Sequence, residues 1–180
     1  MRLWRRLDSA GHDACRLAET SDGWRLEGMA VFLHERGPSQ LAYIVTCDEA
    51  WRSLAGRVHG WLGDRAIDLD VRQPAPGSWT LNGELVPSMK GCVDLDLGFT
   101  PATNALQLRR VALAIGQAAD VPVAWLDVEA GTLRVLQQRY ERKSAGTYWY
   151  EAPEFDYADT LDVDATDFPV TYPGLWEAEP

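Results

Sequence analysis

The sequence predicts an all-β protein built on one curled, mainly antiparallel sheet that carries a single short helix. Three observations predict it. Apolar and polar residues alternate with a period of two at 66–72, 92–97 and 155–163, the pattern of strands that bury one face. Asn82-Gly83 stands between Trp79-Thr80-Leu81 and Glu84-Leu85-Val86, and this dipeptide readily takes the positive φ angles of a tight hairpin turn. Residues 24–33 and 41–47 are apolar on both parities. Two such neighbouring strands need cover on both faces, as in a sheet that curls round on itself.

In chain order, Leu3 to Leu7 reads as a short strand, Ser9 to Gly11 as a turn and Asp13 to Glu19 as a second strand. Ser21-Asp22-Gly23 turns the chain into Trp24 to Leu33, and Glu35 to Ser39 loops into Leu41 to Cys47. Residues 51–62 fit two templates. Trp51, Leu54, Ala55 and Val58 recur at helical spacing, but Gly56 and Gly60 would each destabilise a helix by about 1 kcal/mol relative to Ala. The stretch is assigned to a strand. Ala66 to Arg72 is a plain alternating strand, and Gln73 to Gly77 breaks it before the Asn82-Gly83 hairpin. Val121 to Val128 and Thr132 to Arg142 are two further strands. The second would extend for about 36 Å at ~3.3 Å per residue, long for a strand. Thr147 to Tyr150 and Phe155 to Val163 follow, and the tail from Phe168 to Trp176 is expected to lie across an end of the sheet.

The chain is organised around Gly91 to Gly116. Val93, Leu95 and Leu97 alternate with Cys92, Asp94 and Asp96, so both aspartates share one strand face. After Gly98, Thr100-Pro101 reads as a helix start, because the hydroxyl can accept an orphan amide hydrogen bond and Pro lacks an N–H that the first turn cannot use. Arg109 and Arg110 come next, between Leu108 and Val111. Burying such charges costs several kcal/mol unless they are paired. Pairing of Asp94 and Asp96 with Arg109 and Arg110 is therefore the expectation.

A chain of 180 residues with 46% hydrophobic and 24% charged residues reads as one globular domain, 1–180, able to bury roughly two-thirds of its unfolded surface. The formal net charge of −10 is concentrated at the end: residues 151–180 hold nine acids and no Lys or Arg, while 1–150 hold 18 acids against 17 bases. Such a balance argues against nucleic acid and anionic lipid surfaces as partners. Cys15, Cys47 and Cys92 are odd in number and widely spaced, neither a disulfide framework nor a zinc site. His12, His34 and His59 fall in no metal-ligating pattern, and no metal or cofactor is expected. No segment is long and apolar enough to serve as a signal peptide or to span a bilayer as a helix. A reduced, cytoplasmic protein without integral membrane association is the expectation.

The Asp94, Asp96, Arg109 and Arg110 constellation has three readings. It can be a buried ion-pair network that locks the turn, a polar anchor for a sugar or carboxylate head group, or a pair of acids for glycoside hydrolysis, which needs two carboxyls roughly 5–10 Å apart. Thr100 and Asn104 can hydrogen-bond sugar hydroxyls or simply cap the turn. Trp125, Tyr148, Trp149 and Tyr150 suit either the wall of an apolar pocket or plain core and rim.

The run GCVDLDLGFTPATNALQLRRVAL, the later VPVAWLDV, LQQRYER at 136–142 and the closing VTYPGLW resemble a bacterial family known as putative glycolipid-binding proteins, formerly a domain of unknown function. The match runs in order from about Trp79 to Trp176, with weaker agreement in LEGMAVF and LAYIVTC. Its most specific element is FTPxTNxL followed by the arginine pair. Where that pattern carries proline this chain has Gln107, so a different turn geometry is expected there. The resemblance implies a spiral β-roll, a large antiparallel sheet wrapped around a single helix, and a homodimer; it carries no catalytic residues. The candidate ligand-binding set is Asp94, Asp96, Thr100, Asn104, Arg109, Arg110, Trp125 and Tyr140. Three functions compete: a non-enzymatic binder of a glycolipid or other long-chain amphiphile, a structural or interaction protein with a filled core, and a hydrolase using Asp94 or Asp96.

Overall fold

Alternation of buried and exposed side chains governs the chain from its second residue. The computed structural model describes Met1–Pro180. Eight strands come first: β1 (Arg2–Arg6), β2 (Gly11–Thr20), β3 (Gly23–His34), β4 (Gly37–Cys47), β5 (Ser53–Leu62), β6 (Arg65–Ala75), β7 (Ser78–Leu81) and β8 (Glu84–Val86). The central stretch supplies β9 (Asp94–Leu97) and the helix α1 (Asn104–Val111). Then follow β10 (Ala118–Asp120), β11 (Val123–Asp127), β12 (Thr132–Leu136), β13 (Arg139–Arg142), β14 (Thr147–Ala152), β15 (Tyr157–Val163), β16 (Pro169–Tyr172) and β17 (Trp176–Ala178). Strands hold 59% of the residues and helix 6%. The all-β prediction with one short helix is correct.

Fourteen strands form one antiparallel sheet, in the order β10-β13-β14-β15-β16-β17-β1-β2-β3-β4-β5-β6-β7-β8. It curls without closing, since β10 and β8 remain edges. β9, β11 and β12 form a smaller sheet inside the curl. Within it β9 and β11 are parallel, with Asp96 opposite Trp125. A parallel pair requires a crossover, and α1 lies in it. The helix contributes to two apolar clusters: Leu106 belongs to the larger one, with Leu26, Leu41, Val58 and Leu95, whereas Leu108 belongs to the smaller one, with Tyr140, Tyr148 and Leu161. Gly56 of β5 is a strand residue whose missing Cβ leaves room for the Leu95 side chain, which explains a glycine in a buried strand. The Asn82-Gly83 hairpin forms as predicted, with φ of 52° and 86°.

Several details depart from the sequence-based expectations. Thr132 to Arg142 is not one strand: the chain leaves the inner sheet after Leu136 and joins the outer sheet at Arg139. Phe155 belongs to a 3₁₀ turn, Pro153–Phe155, and Asp156 with φ of 51° starts the turn into β15. The helix begins after Thr103, not at Thr100, and Gln107 lies inside it where a changed turn was expected. The tail does not cross an end of the sheet, because β17 pairs with β1 and joins the two ends of the chain. Arginines of β1 also meet the acidic end of the chain: Arg5 lies 2.6 Å from Glu177 of β17, and Arg2 binds Asp164 in the turn between β15 and β16. Finally, β3 is covered on one face only. Leu26, Ala30 and Phe32 are buried, whereas Met29, Val31 and Leu33 remain about half exposed.

Candidate functional site

All four residues of β9 are buried. Leu95 and Leu97 join the larger apolar cluster, and Asp94 and Asp96, on the opposite parity, meet α1. The shared face expected of the two aspartates is present, but their partners differ. Arg110 holds Asp94 as a fork: Nε donates to Oδ1 at 2.7 Å and to Oδ2 at 2.9 Å, and Nη2 donates to Oδ2 at 2.7 Å. Burial nevertheless outweighs the guanidinium and holds the Asp94 carboxyl above its ordinary pKa.

Asp96 has no cationic partner. Gln107 and Gln138 donate amide hydrogens to its Oδ2 at 3.0 and 2.9 Å. Tyr140 Oη donates to Gln107 Oε1 at 2.6 Å and accepts from Asn104 Nδ2 at 2.8 Å. The chain Asn104–Tyr140–Gln107–Asp96 is therefore one hydrogen-bonded line. No hydrogen bond from the protein reaches Asp96 Oδ1 or Asn104 Oδ1, and neither atom is sealed from the cavity both residues border. Burial raises the Asp96 pKa, the two amides offset it in part, and the neighbouring Asp94 charge adds to it.

The two ends of this line, Asp96 and Asn104, lie on the floor of a cavity of ≈ 350 Å³. Asp96, Thr100, Asn104 and Gln138 supply the polar part; Trp125, Leu136, Tyr150, Ala152, Tyr157, Tyr172, Leu175 and Trp176 supply the walls, and Gly98 and Phe155 stand at the mouth. Trp125 and Phe155 lie 5.3 Å apart by ring centroid, and Tyr150, Tyr157 and Tyr172 contact one another at 5.4–5.9 Å. Gly98 is what admits the indole: a Cβ there would collide with Trp125 Nε1. The Arg134 guanidinium covers the Trp125 ring at 4.4 Å and is paired with Glu154.

Of the eight candidates, Asp96, Thr100, Asn104 and Trp125 border the cavity, and Tyr140 stands behind it as the link from Asn104 to Gln107. Asp94 and Arg110 form a brace without contact with the cavity. The expected pairing of Arg109 with these aspartates is absent. On a helix adjacent residues point about 100° apart, so only Arg110 can face β9. Arg109 instead donates to Thr166 O at 2.9 and 3.2 Å, with Asp167 at 3.4 Å, and lies 4.6 Å over Trp51, itself stacked on Trp24.

The sequence-based candidates omit Gln107, Gln138, Asp13 and Tyr43. Asp13 accepts from Tyr43 Oη at 2.9 Å and from the Thr100 hydroxyl, wholly out of water, and burial pushes its pKa up to about 6. A signal for it existed: Asp13 and Cys15 share the buried parity of β2, where a carboxylate needs an explanation. The three cysteines are free and buried, and burial raises all three thiols. No helix is long and apolar enough to cross a membrane.

A family model described as "Putative glycolipid-binding" matches residues 1–178, so the chain belongs to that family. The fold is also that of a crystal structure of a DUF1089 family protein from Pseudomonas aeruginosa, with 30% identity, 92% of this chain and 91% of the other covered, and a TM-score of 0.80. No curated protein matches the chain.

Proposed function

We propose that this member of the glycolipid-binding family holds a glycolipid or another long-chain amphiphile, without chemistry, in the cavity between the inner sheet and β14–β17. The observation that carries the reading is the cavity itself. At ≈ 350 Å³ with nine apolar or aromatic lining residues, it lies within the range of about 300–1,000 Å³ usual for small-molecule sites, over a floor of buried acceptors. In this reading Trp125, Tyr157 and Phe155 contact the apolar part, and Asp96, Thr100 and Asn104 meet the polar part.

A filled core, the structural alternative, leaves such a space unexplained. Hydrolysis by Asp94 and Asp96 is disfavoured by their surroundings: Asp94 has no exposed surface and is neutralised by Arg110, so the cavity meets one of the two acids, not a pair. The proposal includes a cytoplasmic homodimer. Free, buried thiols suit a reducing compartment, and the uncovered row of Met29, Val31 and Leu33 with Trp61 on β5 suits a second copy.

The test is native mass spectrometry of the purified protein, combined with titration of octyl glucoside below its micelle threshold and read by tryptophan fluorescence. One amphiphile per chain and a saturating fluorescence change are expected, with affinity reduced at least tenfold in Trp125→Ala. Absence of saturable binding would overturn the reading.

A further inference from the structure

We infer that the polar end of the ligand is an uncharged polyhydroxyl group, which donates hydrogen bonds to Asp96 and Asn104, and that the site rejects anionic head groups. This rests on the cavity reading above and adds the chemistry of the occupant. The buried floor offers acceptors that the protein itself does not use. Asp96, 94% buried, receives both glutamine amides on Oδ2, which leaves Oδ1 without a donor. Asn104, 96% buried, spends its amide on Tyr140 and leaves Oδ1 without a donor. Both atoms are open to the cavity; an occupant that displaces water from them without donating would leave each unpaired at about 1–3 kcal/mol, so they call for hydroxyl hydrogens from whatever fills the space.

Charge completes the argument. No Lys, Arg or His lines the cavity. The two guanidinium groups on its aromatic walls are already matched: Arg134 over Trp125 is paired with Glu154, and Arg6, 5.1 Å over Trp176, is held by Asp8 through two hydrogen bonds of 2.9 and 2.6 Å. Arg110, behind the floor, is committed to Asp94. A phosphate, sulfate or carboxylate entering here would lose its water and meet a carboxylate, with no cation to replace the water.

The same geometry defines an isosteric switch. In Asp96→Asn the side-chain oxygen can still accept from Gln107 and Gln138, which places the new NH₂ where Oδ1 stood. An acceptor facing the cavity becomes a donor, and the charge is gone. The experiment compares ligands of one chain length, octyl glucoside, octyl phosphate and octylamine, by tryptophan fluorescence at pH 8, on the full chain and on Asp96→Asn.

For the native protein, octyl glucoside should bind at least tenfold more tightly than octyl phosphate. In Asp96→Asn that ratio should fall at least tenfold, through weaker glucoside and stronger phosphate binding. Octyl phosphate binding as tightly as octyl glucoside, octylamine binding more tightly than either, or an unchanged ratio in Asp96→Asn would each overturn the inference while leaving amphiphile binding intact. Failure of all three ligands to bind would overturn the cavity reading with it. A second variant, Asn104→Asp, keeps the test open if Asp96→Asn does not fold: it adds a carboxylate to the floor and should weaken octyl phosphate further without abolishing octyl glucoside binding.

Discussion

Removal of the Arg110 guanidinium probes the brace at the centre of the fold. Asp94 has no exposed surface, and Arg110 supplies all three of its side-chain hydrogen bonds, at 2.7–2.9 Å. Breaking a buried pair from one side typically costs about 3–5 kcal/mol. The Arg110 side chain is 23% exposed, so water can enter part of the vacated space, and the lower end applies. Arg110→Ala is therefore expected to lose about 3 kcal/mol, out of a total stability of roughly 5–15 kcal/mol. For a chain of this size that corresponds to about 6–12 °C in Tm. The pH dependence gives a second handle. The Asp94 pKa is already raised by burial, and without the guanidinium it rises further. The stability tied to such a group is present at low pH and lost as pH rises through the folded pKa. Urea melts should then show a larger penalty for Arg110→Ala at pH 8 than at pH 5, and a pH-independent penalty once Asp94→Asn is added. Arg109→Ala, which removes a stacking contact and bonds to one carbonyl, should cost only about 1 kcal/mol. An Arg110→Ala protein within about 0.5 kcal/mol of the native chain at pH 8, or a penalty equal at both pH values, would refute the buried-brace argument.

Two further outcomes are expected. The Asp13 pKa is raised from 3.8 to about 6, so its contribution to stability is complete below the ordinary carboxylate range and is lost as pH rises through 6. At about 1.36 kcal/mol per unit, that amounts to roughly 3 kcal/mol over the whole transition, of which about 2.4 kcal/mol falls between pH 4 and pH 7. Asp13→Asn should flatten this part of the stability–pH curve, and equal slopes in the two proteins would count against it. Gly98→Ala should displace the Trp125 indole from the cavity mouth. A shifted tryptophan emission and at least tenfold weaker octyl glucoside binding, with the β-sheet circular dichroism retained, are the expected readouts.

Much of the fold was legible because alternation survives wherever a strand keeps one face in the core. β6 and the hairpin of β7 and β8 follow directly from it. Alternation fails to show where a strand changes sheet. Leu136, Gln138 and Tyr140 are all buried, so the period of two continues from β12 into β13 although the backbone leaves one sheet for the other between them. Phe155 likewise keeps the parity of Tyr157, and only Pro153 hints at the turn before it. The greasy outer parity of β3 was visible, but that this face stays uncovered by the chain was not, because alternation marks an apolar face and not what lies on it. Pairing of β17 with β1 was hidden for a related reason: neither short strand carries a signal for its partner, apart from the arginines of one and the acids of the other.

The site was half legible, and the missing half has a geometric cause. Asp94 and Asp96 are two residues apart on a strand, about 6.6 Å, and therefore face the same way. The side of a helix that can meet both must offer residues three or four apart, about 4.5–6 Å along its axis. Counting back from Arg110, that position is Gln107, not Arg109. Charge counting selects the two arginines because they are the visible cations; helix geometry selects one arginine and one glutamine. The consequence is chemical. Arg110 cancels the charge of Asp94 and makes it a structural brace, whereas the neutral amides of Gln107 and Gln138 orient Asp96 without cancelling it, and Oδ1 remains available to the cavity. Two like residues on one face of one strand are thus divided between an ion-paired brace and a carboxyl group open to the cavity by which helix position stands opposite each.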